Sequence, residues 1–118
     1  LRVGQKEYAV IDSPGMYSLK PITEEERISK LLLFDSPRLV LHVVDAKNLE
    51  RMLPLTLQLI ESKLPVVLVV NMLDEAEERG ITIDCEKLEE TLGIAVVETI
   101  ATSKRGIAEL IEIIKENV

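Results

Sequence analysis

The sequence predicts an α/β fold, a mostly parallel sheet with helices on both of its faces. Two observations carry that prediction. Apolar, largely β-branched runs recur along the chain: Tyr8-Ala9-Val10-Ile11, Val40-Leu41-His42-Val43-Val44 and Val66-Val67-Leu68-Val69-Val70. Runs this continuous suit strands covered on both faces, as in a parallel sheet packed between helices. The segments between them show helical spacing, and strand alternating with helix is the pattern of right-handed βαβ crossovers.

The elements follow in order. After Glu24-Glu25-Glu26, the residues Ile28, Leu31 and Leu32 mark a helix. Leu49, Leu53, Leu57 and Ile60 recur at spacings of three and four before Pro65 and mark a second. Pro54 falls inside it, where proline is tolerated only near a first turn or at a kink. Leu88 and Leu92 belong to a short helix that Gly93 ends. Ala95-Val96-Val97 is a fourth, shorter strand, and Ile107, Leu110, Ile111 and Ile114 define the last helix. Nothing repeats internally and no low-complexity linker divides the chain, so residues 1–118 read as part of a single domain.

Composition removes several functional classes. At 118 residues with 47% hydrophobic content, the chain can bury one modest core. Aromatics are only 3%, so that core is built from Leu, Ile and Val, and stacking platforms for single-stranded nucleic acid are not expected. Acidic residues outnumber basic ones 21 to 14, for a net charge of −7 without a basic cluster, which argues against a nucleic-acid partner. A phosphate ligand would then be held by backbone N–H groups, a lysine or a metal ion. Cys85 is the only cysteine, so no internal disulfide forms and a reduced, cytosolic compartment is expected. The single His42 lies in an apolar run and reads as a satisfied core residue, and one His far from one Cys does not suggest zinc. No run reaches the roughly 18 apolar residues that span a bilayer. The opening Leu1-Arg2-Val3-Gly4 is neither a signal peptide nor a natural start, and reads as a cut through a longer protein.

Three strands end in polar residues, Asp12, Asp45 and Asn71. Ligands of open α/β sheets sit beyond the carboxyl ends of the strands, so these three should share the functional edge. In Asp12-Ser13-Pro14-Gly15, a strand-end carboxylate can hold Mg²⁺ through water. Gly15 lets the backbone approach and offer its N–H to a terminal phosphate. The competing reading is an ordinary Pro-Gly turn. Asn71-Met72-Leu73-Asp74 is more specific. The Asp74 carboxylate can accept from both N1–H and the exocyclic amine of guanine, a donor pair that adenine lacks. Asn71 would bond the purine edge and tie neighbouring loops together, and Met72 can lie along the base face. The alternative is a helix N-cap after a strand, with Asn71 or Asp74 capping. A third stretch, Thr99-Ile100-Ala101-Thr102-Ser103-Lys104-Arg105-Gly106, joins the last strand to the last helix and could present the Ala101 N–H to guanine O6.

In order and approximate spacing these stretches resemble a Ras-like GTPase, and nearly the whole chain is similar to the cytosolic G domain of the ferrous-iron transporter B (FeoB) family. The resemblance rests on Asp12-Ser13-Pro14-Gly15-Met16-Tyr17-Ser18-Leu19, Val44-Asp45-Ala46-Lys47-Asn48-Leu49-Glu50-Arg51 and Leu55-Thr56-Leu57-Gln58-Leu59. Asn71-Met72-Leu73-Asp74-Glu75-Ala76-Glu77 and Gly80-Ile81-Thr82-Ile83-Asp84 extend it. Met72 stands where most GTPases carry lysine. The chain departs from the family at Ser13, where Leu is more frequent, and at Ile100, where Ser usually precedes the alanine. The phosphate loop, Gly-x-x-x-x-Gly-Lys-Ser/Thr, is absent, as is the upstream Thr-bearing switch.

The resemblance implies a Ras-like P-loop GTPase fold whose first, central strand is missing, leaving residues 1–118 as the C-terminal portion of a GTP-binding domain. It implies GTP or GDP and Mg²⁺ as cofactors. Asp12, Gly15, Asn71, Met72, Asp74 and Ala101 would line the site, with Asp12 on the metal. No residue is singled out as catalytic. Met16 follows Gly15 where many GTPases place a water-orienting glutamine, so hydrolysis should be slow in the intact parent, and the fragment alone should be inactive because the phosphate loop is absent. The implied setting is the cytoplasmic face of a membrane. The partners would be the missing N-terminal segment, a helical domain and a permease, and the function regulation of ferrous-iron transport. Two other readings stand beside it, a translation- or ribosome-associated GTPase and a non-hydrolysing interaction module. Two unpaired sheet edges are expected of the chain alone.

Overall fold

A computed structural model describes residues 2–3, 6–7, 24–33, 37–100 and 103–117. Strands β1 (Arg2–Val3) and β2 (Lys6–Glu7) form a short antiparallel ladder that the sequence reading did not anticipate. The run Tyr8-Ala9-Val10-Ile11, like Asp12, Gly15 and Ala101, lies outside the described residues. Then follow α1 (Glu24–Leu33), β3 (Val40–Asp45), a 3₁₀ turn (Ala46–Asn48) and α2 (Leu49–Glu61). The rest is β4 (Val66–Asn71), α3 (Leu73–Glu78), α4 (Cys85–Leu92), β5 (Val96–Glu98) and α5 (Ile107–Asn117).

The main sheet is parallel in the order β3-β4-β5, as the alternation of strands and helices requires. Five successive residues of β4 are buried, because helices cover both faces of this central strand. On one face Val44, Leu68, Val70 and Val96 pack with Ala76 of α3, Cys85 and Leu88 of α4 and Met52 of α2. On the other, Val67, Val69 and Val97 pack under Leu110 and Ile113 of α5. Strand β3 differs from expectation. His42 and Val44 are buried, but Leu41 and Val43 remain 38% and 56% exposed. Among the described residues β3 is an edge strand, covered by α2 on one face only.

Helix α2 also corrects the expected face. Leu55, Thr56 and Leu59 are its buried residues, while Leu57 is exposed, so the series from Leu49 to Ile60 runs across the packing face rather than along it. Pro54 lies in the second turn rather than the first. The Glu50 carbonyl loses its usual donor there, but both residues are exposed and water can serve it. In α1, Ile28 and Leu31 are exposed, and Arg27 pairs with Glu24 at 2.6 Å. Helix α4 matches its sequence signals closely. The Asp84 carboxylate accepts from the Lys87 N–H at 3.1 Å, and Gly93 closes the helix at φ 72°.

His42 is a core residue, as expected, but only half satisfied. The Thr56 Oγ1 lies 3.0 Å from Nδ1, and its hydroxyl also donates to the Met52 carbonyl at 3.3 Å. With that proton committed to Met52, the hydroxyl oxygen accepts from Nδ1–H. Nε2 is buried without a partner among the described residues, and the neutral ring leaves a lone pair there rather than an unmet N–H. Burial lowers the imidazole from 6.5 to about 4. The unfolded chain therefore binds more protons than the folded one between those values. Stability from the neutral buried ring is complete above pH 6.5 and is lost as pH falls toward about 4, by about 3 kcal/mol in total. His42→Leu should flatten that part of the acid dependence in urea unfolding between pH 7 and 4. An unchanged slope would mean that the ring titrates normally.

Candidate guanine-reading site

The carboxyl ends of β3 and β4 place Asp45 and Asn71 side by side as register partners. Strand β5 brings its end to the same edge, where the Thr99 N–H donates to the Val70 carbonyl at 2.8 Å. Two of the three expected strand-end residues thus share one edge, and the third, Asp12, lies outside the described residues.

Asn71 is half-buried, and its Oδ1 accepts from the Thr99 hydroxyl at 3.1 Å. That bond joins two loops 28 residues apart, the tying role expected of Asn71. Thr99 itself is buried. Its pairing was not legible beforehand, because a threonine after a strand carries no signal for a partner so distant in sequence.

Met72 follows in the left-handed region, φ 61° and ψ 36°, and is 41% exposed. A non-glycine residue there is uncommon and marks a backbone held by its surroundings. Helix α3 starts immediately after it, with Met72 at the N-cap position and no side-chain cap hydrogen bond. Asp74 does not cap the helix: it lies inside the first turn, exposed and without a hydrogen bond or ion pair to any described residue. What remains is a carboxylate with its acceptors open to solvent, beside an exposed thioether.

The β5–α5 loop closes on itself. Ile100 and Arg105 exchange backbone hydrogen bonds at 3.0 and 3.2 Å, and the Ser103 hydroxyl donates to the Ile100 carbonyl at 3.2 Å. Ile100 is buried, so the residue that departs from the family pattern serves here as a core contact. Gly106, at φ 81°, then lets α5 begin directly against the Glu98 carbonyl.

Beside the motif, Asp45 accepts from the Lys47 N–H at 2.9 Å through Oδ1 and pairs with Lys47 Nζ at 3.2 Å through Oδ2. With both oxygens engaged, Asp45 is not a free metal ligand. Among the described residues no three His, Cys, Asp or Glu side chains gather as a metal site. Cys85 is buried, and burial first, then a hydrogen bond with Glu98, pushes its thiol up to about 12. It stays protonated and chemically quiet.

A Ras-like α/β sheet with a guanine-type motif at its carboxyl edge defines the class. Residues 1–114 match the model of a family described as ferrous iron transport protein B. The chain is 46% identical over 113 residues to the Fe(2+) transport protein A/Fe(2+) transporter FeoB fusion protein of Porphyromonas gingivalis, covering 94% of this chain and 13% of that protein. It is 43% identical over 101 residues to the Fe(2+) transporter FeoB of Helicobacter pylori, covering 85% of this chain and 16% of that protein. Among solved structures, the FeoB G-domain of Methanococcus jannaschii superposes with a TM-score of 0.88 at 42% identity, over 97% of this chain and 77% of that one. The cytosolic domain of the T. maritima FeoB iron transporter in its GMPPNP form superposes at 0.84, with 39% identity, over 91% of this chain and 44% of that one. The chain belongs to the FeoB family, as the N-terminal G-domain type, and spans about a seventh of the length of the transporters it matches.

Proposed function

We propose that this chain is the base-reading part of a guanine-nucleotide-binding domain that regulates ferrous-iron transport, with slow GTP hydrolysis in the intact parent. The observation that carries the reading is the state of Asn71-Met72-Leu73-Asp74, where the Asp74 carboxylate is exposed and not used as a cap. The donor set fits the base. Asp74 would accept from N1–H and the 2-amino group, Asn71 would hold the purine edge while braced by Thr99, and Met72 would lie along the ring. The Ala101 N–H would meet O6, Asp12 would orient Mg²⁺ through water, and the Gly15 N–H would sense the terminal phosphate. A bound Mg²⁺ would neutralise phosphate charge.

The FeoB structures in GMPPNP form and bound to GDP support guanine nucleotides as the ligand class. The phosphate-holding part of the site would come from a segment outside these residues. A helical domain and a membrane permease would complete the parent, placing this domain at the cytoplasmic face. Among the described residues no helix is long and apolar enough to cross a membrane.

Titrating labelled GDP and ATP against this chain, and against the same chain extended through its phosphate loop, tests the reading. Guanine-selective binding by the extended protein only is the expected result. Binding by neither would refute it.

A further inference from the structure

Lys47 has no part in the contacts proposed above, yet it grips the residues on both sides of Asp74. It sits in the 3₁₀ turn after β3, and only 15% of its side chain is accessible. Its Nζ donates to the Glu75 carboxylate at 2.6 Å, pairs with Asp45 at 3.2 Å and lies 3.8 Å from the Met72 sulfur. Asp45 is itself fixed by the backbone of the same turn. One ammonium group therefore joins the end of β3 to Met72 and to α3, across 25 and 28 residues of sequence.

The segment it joins has little means of holding itself. Helix α3 has six residues, too few for a helix to persist without tertiary contacts. Its anchors are Leu73, half-buried against the core, the buried Ala76, whose N–H donates to the Met72 carbonyl at 3.2 Å, and the return of Ile81 N–H to the Ala76 carbonyl at 2.9 Å. These hold the backbone at the start of α3. The left-handed turn at Met72 precedes Asp74, and there Lys47 adds a polar side-chain contact on either flank, with Met72 and with Glu75.

We propose that Lys47 is a positioning residue for guanine recognition, holding Met72 and Glu75 so that the Asp74 carboxylate between them faces the N1–H and 2-amino edge of the base. The proposal rests on the guanine reading above. Most GTPases carry a lysine inside the motif itself. Here a lysine from the neighbouring strand end arrives at the methionine that replaces it. An ion pair whose Glu75 partner is half exposed contributes little by itself, so the expected effect is on geometry at the base more than on stability.

The test compares GDP with inosine diphosphate, which lacks the 2-amino group that Asp74 would read, in the protein extended through its phosphate loop. Lys47→Met, which keeps the aliphatic stem, should weaken GDP binding about five- to tenfold and inosine diphosphate much less. The GDP-over-inosine ratio should shrink about threefold or more. Lys47→Arg should retain most of the ratio. Glu75→Gln, at an exposed position, should shift it in the same direction by a smaller factor. Equal weakening of both nucleotides, or no change in either, would overturn the positioning role while leaving the guanine reading intact. A wild-type protein without preference for GDP over inosine diphosphate would overturn the Asp74 reading and the role of Lys47 with it.

Discussion

Asp74→Asn, in the protein extended through its phosphate loop, is expected to weaken GTP binding by about a hundredfold or more and to move preference toward xanthine nucleotides. The proposed carboxylate accepts two hydrogen bonds from guanine, and a bond to a charged group is worth about 1.5–3 kcal/mol. The amide presents one acceptor and one donor. Its NH₂ would face the guanine 2-amino group, donor against donor, so one bond is lost and a buried donor is left unmet. Losses of about 3 kcal/mol correspond to a factor of roughly a hundred in affinity. Xanthine carries a carbonyl at that position and would accept from the new NH₂, which gives the change its direction. The fold should tolerate the substitution, because Asp74 is exposed and neither caps α3 nor pairs with a described residue. Competition among GTP, xanthosine triphosphate and ATP measures it. Unchanged discrimination of GTP from ATP would rule out the role given to Asp74.

The features that the sequence made legible are those whose cause is local. Val66 to Val70 announce a strand buried on both faces because five neighbouring side chains share one environment. Helix α4 announces itself through Leu88, Leu92 and Gly93, the last closing it by a bond to a carbonyl four residues back. The guanine-type motif is contiguous as well, which is why Asn71, Met72 and Asp74 could be singled out. The rest depended on tertiary neighbours. Leu57 fits a helical series yet faces solvent, because the sheet presses on Leu55, Thr56 and Leu59 instead. Leu41 and Val43 lie in a run as apolar as β4, yet among the described residues they sit on the face of β3 opposite the buried His42 and Val44 and stay exposed. The braces Thr99 to Asn71 and Lys47 to Glu75 each span 28 residues, and no spacing rule foresees them.

Gly106→Ala is expected to be the most damaging of the substitutions at the three described left-handed glycines. Gly80, Gly93 and Gly106 have φ values of 74°, 72° and 81°. Each substitution therefore strains the backbone by about 1 kcal/mol. At Gly80 and Gly93 no atom of the described residues lies within 4 Å of an added Cβ, so that strain is nearly the whole cost. At Gly106 the Cβ would sit 2.0 Å from the Glu98 carbonyl oxygen and 3.2 Å from the Thr99 Cα. Both are backbone atoms at the end of β5, so no side chain can turn aside, and the start of α5 must move off the strand. Overpacking of this kind adds about 1–3 kcal/mol, for a total of about 3 kcal/mol. The displacement also reaches function. Thr99 carries the hydroxyl that braces Asn71, so Gly106→Ala should weaken guanine-nucleotide binding in proportion to how far Thr99 shifts, whereas Gly93→Ala should not. Urea midpoints for the three variants give the stability order, and GDP titrations of Gly106→Ala and Gly93→Ala give the functional one. Equal midpoints would show that the β5–α5 junction yields easily. Unaltered GDP binding in a destabilised Gly106→Ala protein would show that Asn71 does not depend on Thr99 for its orientation.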